Sequence, residues 1–563
     1  MRIRKSESRR LVRLFAGVRM GLLRAVALVA ITAVAGCGGS HHSTTHTSTA
    51  KAKTTTGATR GQPVASKPLV TVEEVAVGGL GPEHMHVSIY DLRREGPYVV
   101  LDFGITCLEH TTVGCDNELD FAAPSHSGPA VYANANRPSG LLLVDPVAQK
   151  EYLPVRDSQN RPFTSQIPAL DGSSTYLNWV VFPAPPTSVT SIDVVFPNGG
   201  PQVPGIPISS SARPPVAGPN VVAPQPAPFA ASLGSTDTTG LTLPVEDLAD
   251  TVGNPNGSDT ESATQATVTL SSDVLFHFDK SNLTPTAHTI LAQVAPQIKA
   301  RAMGPVKVTG YTDSIGTDAV NIPLSQARAR SVVTALQPLT PGVAYKAQGL
   351  GSADPVAPNT KQDGSDNPAG RALNRRVTIV YAVKAPSPPT PPAAAPTTGS
   401  AGPASQSRTM TFVVNSGGQT THYQITVDDA FRESDLLVMR MQLDCTSVTG
   451  ELAGNSCDDE TDLEGSNTVP PQPQSIDSNE FNSISGFYLL DPASGTEYIP
   501  VHDSSVMPLT SGVDTNVKVG ADYPQWIYFP APPSSVSTVT LVAPGGAAKV
   551  AGVPISASPP AQP

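Results

Sequence analysis

Two segments of this chain carry the same sequence pattern, 346 residues apart. The pattern Asp-Pro-x-x-x-x-Glu-Tyr begins at Asp145 and again at Asp491. The two tryptophans of the chain, Trp179 and Trp526, each open a Trp-x-x-Phe-Pro-Ala-Pro-Pro segment. Self-similarity of this kind indicates a duplicated structural unit. We therefore predict two copies of one domain, at residues 68–210 and 409–557.

Both copies have the sequence features of all-β domains. Each contains short apolar or alternating runs that are separated by Pro, Gly, Asn and Asp turns. About seven such runs in ~145 residues are typical of a β-sandwich. The pattern resembles the immunoglobulin-like domains that are often appended to exported bacterial lipoproteins. This resemblance implies two repeated immunoglobulin-like sandwich domains on either side of a different central segment.

The composition excludes a single compact globule. Proline accounts for 57 of the 563 residues, about twice the usual share of ~5%. Three segments are poor in large apolar side chains, and such segments cannot bury enough surface to offset the entropy that ordering costs. We predict that they are linkers, at residues 38–67, 211–263 and 385–408. The first contains His41, His42 and His46, for which a solvated linker is favoured over a metal site.

The N-terminus has the features of an export signal. Eight Arg or Lys among residues 1–24 precede an apolar run that is too short to span a membrane comfortably. The run ends in Val-Ala-Gly before Cys37, a sequence that resembles a bacterial lipobox. Residues 1–36 are therefore predicted to be a lipoprotein signal peptide and Cys37 the lipidated first residue of the mature protein. The alternative is an ordinary signal peptide with a chance cysteine.

Export changes how the other four cysteines are interpreted, because an exported protein meets an oxidising compartment. Each repeat carries one close pair, Cys107 with Cys115 and Cys445 with Cys457, and no cysteine is left over once Cys37 is lipidated. We predict two disulfides rather than four free thiols. An acidic run follows Cys115 and another follows Cys457. A solvated acidic loop is favoured there over a calcium site, so no metal or other cofactor is predicted.

The central segment, residues 264–384, differs from both repeats. It has twelve Lys or Arg against seven Asp, whereas residues 409–556 have four against eighteen acids. Its strand-like and helix-like runs alternate, with a strand predicted at Val274–Phe278, a first helix capped by Thr284 and a second helix at Leu324–Leu336. The order is β-α-β-α-β-β, so the prediction is an α/β sandwich with one sheet and two main helices.

Five ordered blocks in this segment resemble the OmpA-like peptidoglycan-binding domain family, which includes the C-terminal domains of OmpA and MotB. The blocks are Phe-His-Phe-Asp-Lys-Ser from Phe276, Gly-Tyr-Thr-Asp from Gly310, Asn-Ile-Pro-Leu-Ser-Gln-Ala-Arg-Ala from Asn321, Gly-Leu-Gly from Gly349, and Asn-Arg-Arg-Val from Asn374. They cover about 120 of 563 residues. One departure is an insertion-like stretch, residues 361–369, that leaves the blocks intact.

The resemblance implies a non-catalytic domain that binds the diaminopimelate of peptidoglycan stem peptides. That ligand carries an ammonium and a carboxylate on one carbon, and the resemblance implies Asp313 for the ammonium and Arg328 for the carboxylate. Further pocket residues are implied on the same blocks: Thr312, Asn321, Leu324, Ser325, Arg375 and Arg376. On residue type alone, Asp313 and Arg328 would be read as a surface ion pair.

Several functional classes compete with this interpretation. No His-Glu-x-x-His, Gly-x-Ser-x-Gly or P-loop motif occurs, so an enzyme is not predicted. A net charge of −11 argues against a nucleic-acid binder. The favoured function is a lipoprotein that tethers its membrane, either the outer membrane or the outer face of the cytoplasmic membrane, to peptidoglycan. The alternative is an adhesin or assembly protein whose repeats bind another protein, with the wall domain only as an anchor.

Overall fold

The computed structural model describes residues 67–76, 84–108, 137–211, 216–224, 240–384, 408–450 and 484–560, with internal gaps of one to seven residues. Several sequence predictions fall outside these residues and stay predictions. They concern the signal peptide, Cys37, most of the 38–67 linker, nearly all of the 385–408 linker, and Cys115 and Cys457 with the acidic runs that follow them.

The first repeat contains two antiparallel sheets. Its strands are β1 (Val70–Ala76), β2 (His84–Glu95), β3 (Tyr98–Cys107), β4 (Leu142–Asp145), β5 (Lys150–Tyr152), β6 (Thr175–Pro183), β7 (Ser191–Val195) and β8 (Gln202–Pro207). One sheet has the order β1-β2-β3-β6 and the other the order β5-β4-β7-β8. Alternate residues of both sheets, such as Phe103 on β3 and Val194 on β7, share one buried core. Residues on the opposite faces are buried as well, since Val100 on β3 and Val144 on β4 belong to other apolar clusters.

The linker region and the central domain follow. Their strands are β9 (Val221–Val222), β10 (Val245–Asp247), β11 (Ala249–Asn254), β12 (Gly257–Ser262), β13 (Gln265–Ser271), β14 (Ala302–Gly310), β15 (Tyr345–Gly349) and β16 (Arg376–Val383). Their helices are α1 (Ser272–Leu275), α2 (Pro285–Arg301), α3 (Asp318–Leu336) and α4 (Pro368–Asn374).

In the central domain the strand order is β15-β14-β16-β13, with α2 and α3 packed on one face. This agrees with the predicted sheet and two main helices. The first helix begins where the sequence placed it, because the Thr284 hydroxyl accepts a hydrogen bond from the Ala287 amide at 3.0 Å and Pro285 follows at the first helical position. Val377 and Ile379 on β16 are buried under the helices.

Two local predictions in this domain are wrong. The segment predicted as a strand at Val274–Phe278 begins instead with α1, and only Phe276 forms an isolated bridge, to Leu283. Short apolar runs do not distinguish a strand from a buried helical turn. The second helix begins at Asp318, six residues earlier than predicted, because the turn from Thr317 is already hydrogen-bonded to the amides of residues 320 and 321. The proline at 323 therefore lies inside the helix.

The second repeat has the same strand order as the first. Its strands are β17 (Arg408–Ser416), β18 (Gln419–Glu433), β19 (Leu436–Gly450), β20 (Tyr488–Asp491), β21 (Thr496–His502), β22 (Asp522–Pro530), β23 (Thr538–Val542) and β24 (Lys549–Pro554). One sheet is β17-β18-β19-β22, and the strands β21-β20-β23-β24 form the other. The duplicated sequence pattern therefore corresponds to a duplicated strand arrangement.

The predicted linker at 211–263 is wrong where its residues form strands, the first of which, β9, pairs in parallel with β6 of the first repeat. Strand β10 pairs with β5 of the first repeat, β11 pairs with β21 of the second repeat, and β12 pairs with β13 of the central domain. The central domain and the second repeat consequently share one ten-stranded sheet, whose order is β15-β14-β16-β13-β12-β11-β21-β20-β23-β24. Polar, turn-rich sequence still forms strands where open sheet edges offer hydrogen-bond partners for its backbone.

The two repeats also pack against each other. Residues from both copies and Leu248, the single residue between β10 and β11, form one buried apolar cluster. Trp526 donates its indole N–H to the carbonyl of Gly200 at 3.0 Å, which links the second repeat to the first. The cluster consists of Leu142, Val144, Leu153, Val195, Leu248, Phe431, Leu436, Val438, Val501, Leu509, Trp526 and Tyr528.

Candidate functional site

The candidate site is built on the loop that follows β14. Gly310, the last residue of the strand, passes so close to α3 that an added Cβ would lie 2.2 Å from the carbonyl oxygen of Ser325. The amide of Tyr311 donates to the carbonyl of Arg376, and the amide of Thr312 donates to the carbonyl of Gly351. The loop is therefore fixed between the start of β16 and the end of β15. This position places Asp313 beside the helix.

Asp313 is nearly buried, with 8% of its surface exposed. Its Oδ1 accepts a hydrogen bond from the Ile315 amide at 3.0 Å, and its Oδ2 accepts one from Arg375 at 2.7 Å. The Nε of Arg371 lies 3.9 Å from the same Oδ2. A carboxylate has about four lone-pair positions, so these contacts leave Asp313 room to accept a further donor.

Arg375 connects Asp313 to a second acid. Its Nε and one terminal nitrogen donate to the two carboxylate oxygens of Asp273, at 2.9 and 2.6 Å. The hydrogen bonds to Asp273 and Asp313 raise the pKa of Arg375 above its ordinary value, against the effect of burial. The guanidinium of Arg375 is thus held between two carboxylates, in a bidentate geometry on one of them.

Arg328 lies on α3, with 6% of its surface exposed. Its Nε donates to the carbonyl of Lys280 at 3.1 Å, and its guanidinium lies 5.3 Å from the ring centre of Phe276. Burial lowers the pKa of Arg328, and the negative charges of Asp273 and Asp279 oppose that shift. Within the described parts of the chain, no acceptor is hydrogen-bonded to its two terminal nitrogens. Those nitrogens have the geometry to bind one carboxylate in bidentate fashion.

The polar side chains at the start of α3 hold backbone rather than project into open space. Asn321 donates to the carbonyl of Ile315 at 3.0 Å. The hydroxyl of Ser325 accepts from the Gly351 amide at 2.9 Å and donates to the carbonyl of Ile322 at 3.0 Å. Asn321 therefore fixes the loop that carries Asp313, and Ser325 fixes the loop that follows β15, both against the helix that carries Arg328.

The remaining predicted site residues fall into two groups. Leu324 is half-buried on α3, and the Thr312 hydroxyl donates to the carbonyl of Asp313 at 2.9 Å. Arg376 is buried, with its guanidinium 3.7 Å from the ring centre of Tyr311 and a terminal nitrogen donating to the carbonyl of Asp354 at 2.9 Å. Burial lowers the pKa of Arg376. These contacts of Arg376 are thus with the ring of Tyr311 and with backbone carbonyls, and its role in ligand binding stays a prediction.

Comparison with known proteins identifies this domain. Residues 275–367 match the model of the OmpA family. These residues form an OmpA family domain.

Three relatives are each similar to 19–20% of this chain. The photosystem I P700 chlorophyll a apoprotein A2 of Gloeobacter violaceus is 42% identical over 114 residues, which is 13% of that protein. Outer membrane protein A of Bordetella avium is 40% identical over 116 residues, or 56% of its length. The peptidoglycan-binding protein ArfA of Mycobacterium tuberculosis is 41% identical over 110 residues, or 31% of its length. The chain thus spans between 13% and 56% of the length of these relatives.

Sequence reasoning missed three groups that lie against the site residues Asp313, Arg328 and Arg375. Asp273 lies 102 residues before Arg375, and no motif marks it. Arg371 stands outside the five sequence blocks, yet it is ion-paired with Asp366 of the insertion-like stretch and lies near Asp313. The carbonyl of Lys280 is invisible to side-chain patterns. Only the fold brings these groups to one place.

The described ranges contain neither a cluster of metal-binding side chains nor a helix suited to cross a membrane. No group of three or more His, Cys, Asp or Glu in them is arranged to hold a metal ion. None of their helices has the length and apolar character that crossing a membrane requires.

Proposed function

We propose that the OmpA domain binds peptidoglycan without cleaving it. The observation that carries the proposal is the pair Asp313 and Arg328, one acid and one base held by backbone contacts on a loop and a helix of an OmpA family domain. ArfA, a relative described as a peptidoglycan-binding protein, supports the ligand class. The charged pair and the similarity to ArfA therefore favour the same partner, peptidoglycan.

The proposed ligand group is the diaminopimelate of a stem peptide. The terminal nitrogens of Arg328 would bind the carboxylate, and Asp313 would accept from the ammonium. Arg375 keeps Asp313 oriented through its contact with Oδ2. Thr312, Asn321, Leu324 and Ser325 would shape and fix the pocket.

A single stem would be bound weakly. Hydrogen bonds to charged groups contribute about 1.5–3 kcal/mol each, so two or three of them correspond to affinities of about micromolar to millimolar. A polymeric wall and a membrane anchor would raise the effective affinity through multivalency.

In this proposal the whole protein tethers a membrane to the cell wall, and the OmpA domain is the part that binds the wall. The signal peptide and a lipid on Cys37 would supply the anchor to the membrane, facing peptidoglycan. Cys107 is the last residue of β3, and Cys445 lies within β19. In the proposal, Cys107 bonds to Cys115 and Cys445 bonds to Cys457, as expected of an exported protein. The repeats are proposed to be immunoglobulin-like sandwiches.

An adhesin or assembly protein remains the second candidate. The observation that favours it is the size of the duplicated part, since the two β-sheet repeats occupy most of the described chain outside the OmpA domain. In that case the OmpA domain would locate the protein at the wall and the repeats would bind another protein.

The test is co-sedimentation of the full chain with purified diaminopimelate-type sacculi. The wild type should pellet, and free diaminopimelate should compete. Asp313→Asn and Arg328→Gln should each reduce the bound fraction at least about tenfold, the loss of about 1.4 kcal/mol or more.

Matched controls exist on the same elements. Arg330 is an exposed arginine on α3, two residues from Arg328, and Asp318 is exposed at the start of that helix. Arg330→Gln and Asp318→Asn should pellet like the wild type. A wild type that stays in the supernatant, or controls that lose as much binding as the site variants, would refute the proposal. Binding of a soluble protein partner by a chain that ignores sacculi would favour the second candidate.

A further inference from the structure

The contact between the two repeats contains acids as well as apolar side chains. Asp193 on β7 and Glu151 on β5 come from the first repeat, and Glu433 on β18 and Asp503 after β21 come from the second. Glu151 has no exposed surface, and Asp193 and Asp503 are each 1% exposed. Ionised carboxylates are costly to bury unless a cation or several donors compensate their charge.

The first acid pair is Asp193 with Glu433. Oδ2 of Asp193 accepts from the Tyr528 hydroxyl at 2.8 Å and from Gln202 at 3.3 Å, and Oδ1 accepts from the Gly205 amide at 3.0 Å. Oε2 of Glu433 is buried, and no described residue forms a hydrogen bond with it. Burial and the charge of Asp193 raise the pKa of Glu433 to about 10, with Arg440 opposing the shift, and burial raises the pKa of Asp193 to about 6.

The second acid pair is Glu151 with Asp503. Both carboxylate oxygens of Glu151 are buried, and no donor in the described part of the chain reaches them in good geometry. Burial and the negative charges of Asp503 and Glu246 raise the pKa of Glu151 well above its ordinary value. The neutral acid is therefore the form that this position accommodates.

A fifth acid lies where the two repeats and the linker meet. Asp250 on β11 accepts from Gln149 of the first repeat at 2.5 Å. Burial, with the charges of Asp435 and Glu261, raises its pKa to about 7. Two residues earlier, Leu248 separates β10, which pairs with the first repeat, from β11, which pairs with the second. Separation of the repeats about the backbone at Leu248 would leave β10 paired with the first repeat and β11 paired with the second.

We propose that docking of the two repeats is coupled to proton uptake by these buried acids, so that the contact is tight in acid and loosens as the pH rises, with the junction at Leu248 as the hinge.

The direction follows from linkage. When the repeats separate, the acids meet water and return towards their ordinary pKa values of about 4. The docked form therefore binds more protons than the separated form above pH ~4, and docking loses free energy as the pH rises through the raised values. Each proton taken up changes the docking equilibrium by up to about tenfold per pH unit. Docking therefore weakens from pH ~4 upwards, and the pKa values of about 6, 7 and 10 set the upper ends of the three ranges.

Small-angle X-ray scattering of the full chain between pH 5 and pH 9 tests the proposal, with circular dichroism to confirm that the strands persist. We expect the radius of gyration to increase as the pH rises. The double variant Glu151→Gln and Glu433→Gln, which mimics the protonated acids, should stay compact to higher pH. The single variant Glu433→Gln should shift the transition in the same direction and guards against a folding failure of the double variant.

Glu497→Gln is the matched control. Glu497 is the counterpart of Glu151 in the second repeat, but it is only partly buried, with Lys549 opposing the effect of burial on its pKa. This variant should follow the wild-type curve. The proposal would be overturned by a wild-type radius of gyration that stays constant across the range or increases towards acid. It would also be overturned if the wild type, the single variant Glu433→Gln and the double variant all gave the same curve.

Discussion

At the scale of single residues, the site depends on which atoms of each charged side chain are already engaged. Arg328 uses Nε on the carbonyl of Lys280, and its terminal nitrogens have no partner among the described residues. Arg376 is a neighbour in sequence of Arg375, yet its guanidinium is stacked on Tyr311 and hydrogen-bonded to backbone. Residue type alone treats these arginines alike, whereas their contacts give them different roles.

Arg375→Gln tests the role of the bridging arginine. The change leaves Asp273 and Asp313 without their shared cation, so we expect the free energy of unfolding of the OmpA domain to fall by about 1–3 kcal/mol, since Asp313 is nearly buried. Urea denaturation measures the loss. Arg330→Gln, on the exposed face of α3, should change the midpoint little. Equal losses in the two variants would show that Arg375 has no special structural role.

At the scale of elements, the segment between the first repeat and the OmpA domain belongs to sheets. Burial alternates along β11, and the strand is paired on both sides, with β12 and with β21. The sequence there reads as a linker because it lacks large apolar residues and contains Asn, Gly and Pro. Its backbone pairing, which the side-chain pattern does not encode, decides its structure.

Hydrogen exchange distinguishes a paired hairpin from a linker. We expect the amides of β11 and β12 to exchange at least about 100-fold more slowly than in an unstructured peptide, because their hydrogen bonds open only when the sheet does. Peptide-resolved mass spectrometry covering residues 249–262 gives the rates. Exchange at the unstructured rate throughout this segment would contradict the ten-stranded sheet.

At the scale of the whole molecule, the repeats and the OmpA domain are joined by more than the chain. The apolar cluster around Trp526 and Tyr528 joins the two repeats to each other. The hairpin β11–β12 joins the OmpA domain to the second repeat. The sequence predicts separate domains on flexible tethers, while the described residues between 63 and 563 belong to one compact unit.

Trp526→Ala tests the coupling between the repeats. Removing a buried Trp costs about 3–5 kcal/mol, and here part of that loss falls on the contact with the first repeat. We expect thermal unfolding of the full chain by calorimetry to separate into distinct transitions. Trp179, the equivalent residue, packs with Val100 and Val181 inside the first repeat. Trp179→Ala should lower the stability of that repeat and leave the inter-repeat contact in place. The same profile for both variants would argue against the role of Trp526.

The sequence by itself determined the parts of this protein that depend on local chemistry. The duplicated pattern gave the same strand order twice, Thr284 and Pro285 marked the start of a helix, and the ordered blocks identified the OmpA domain. The tertiary structure decided what depends on residues far apart in the chain. Asp273 meets Arg375 across 102 residues, and Tyr528 meets Asp193 across 335. Hydrophobic periodicity and helix capping depend on residues that are close along the chain, so the sequence shows them directly. The partners of open sheet edges and buried charges are distant along the chain, so only the folded structure shows them.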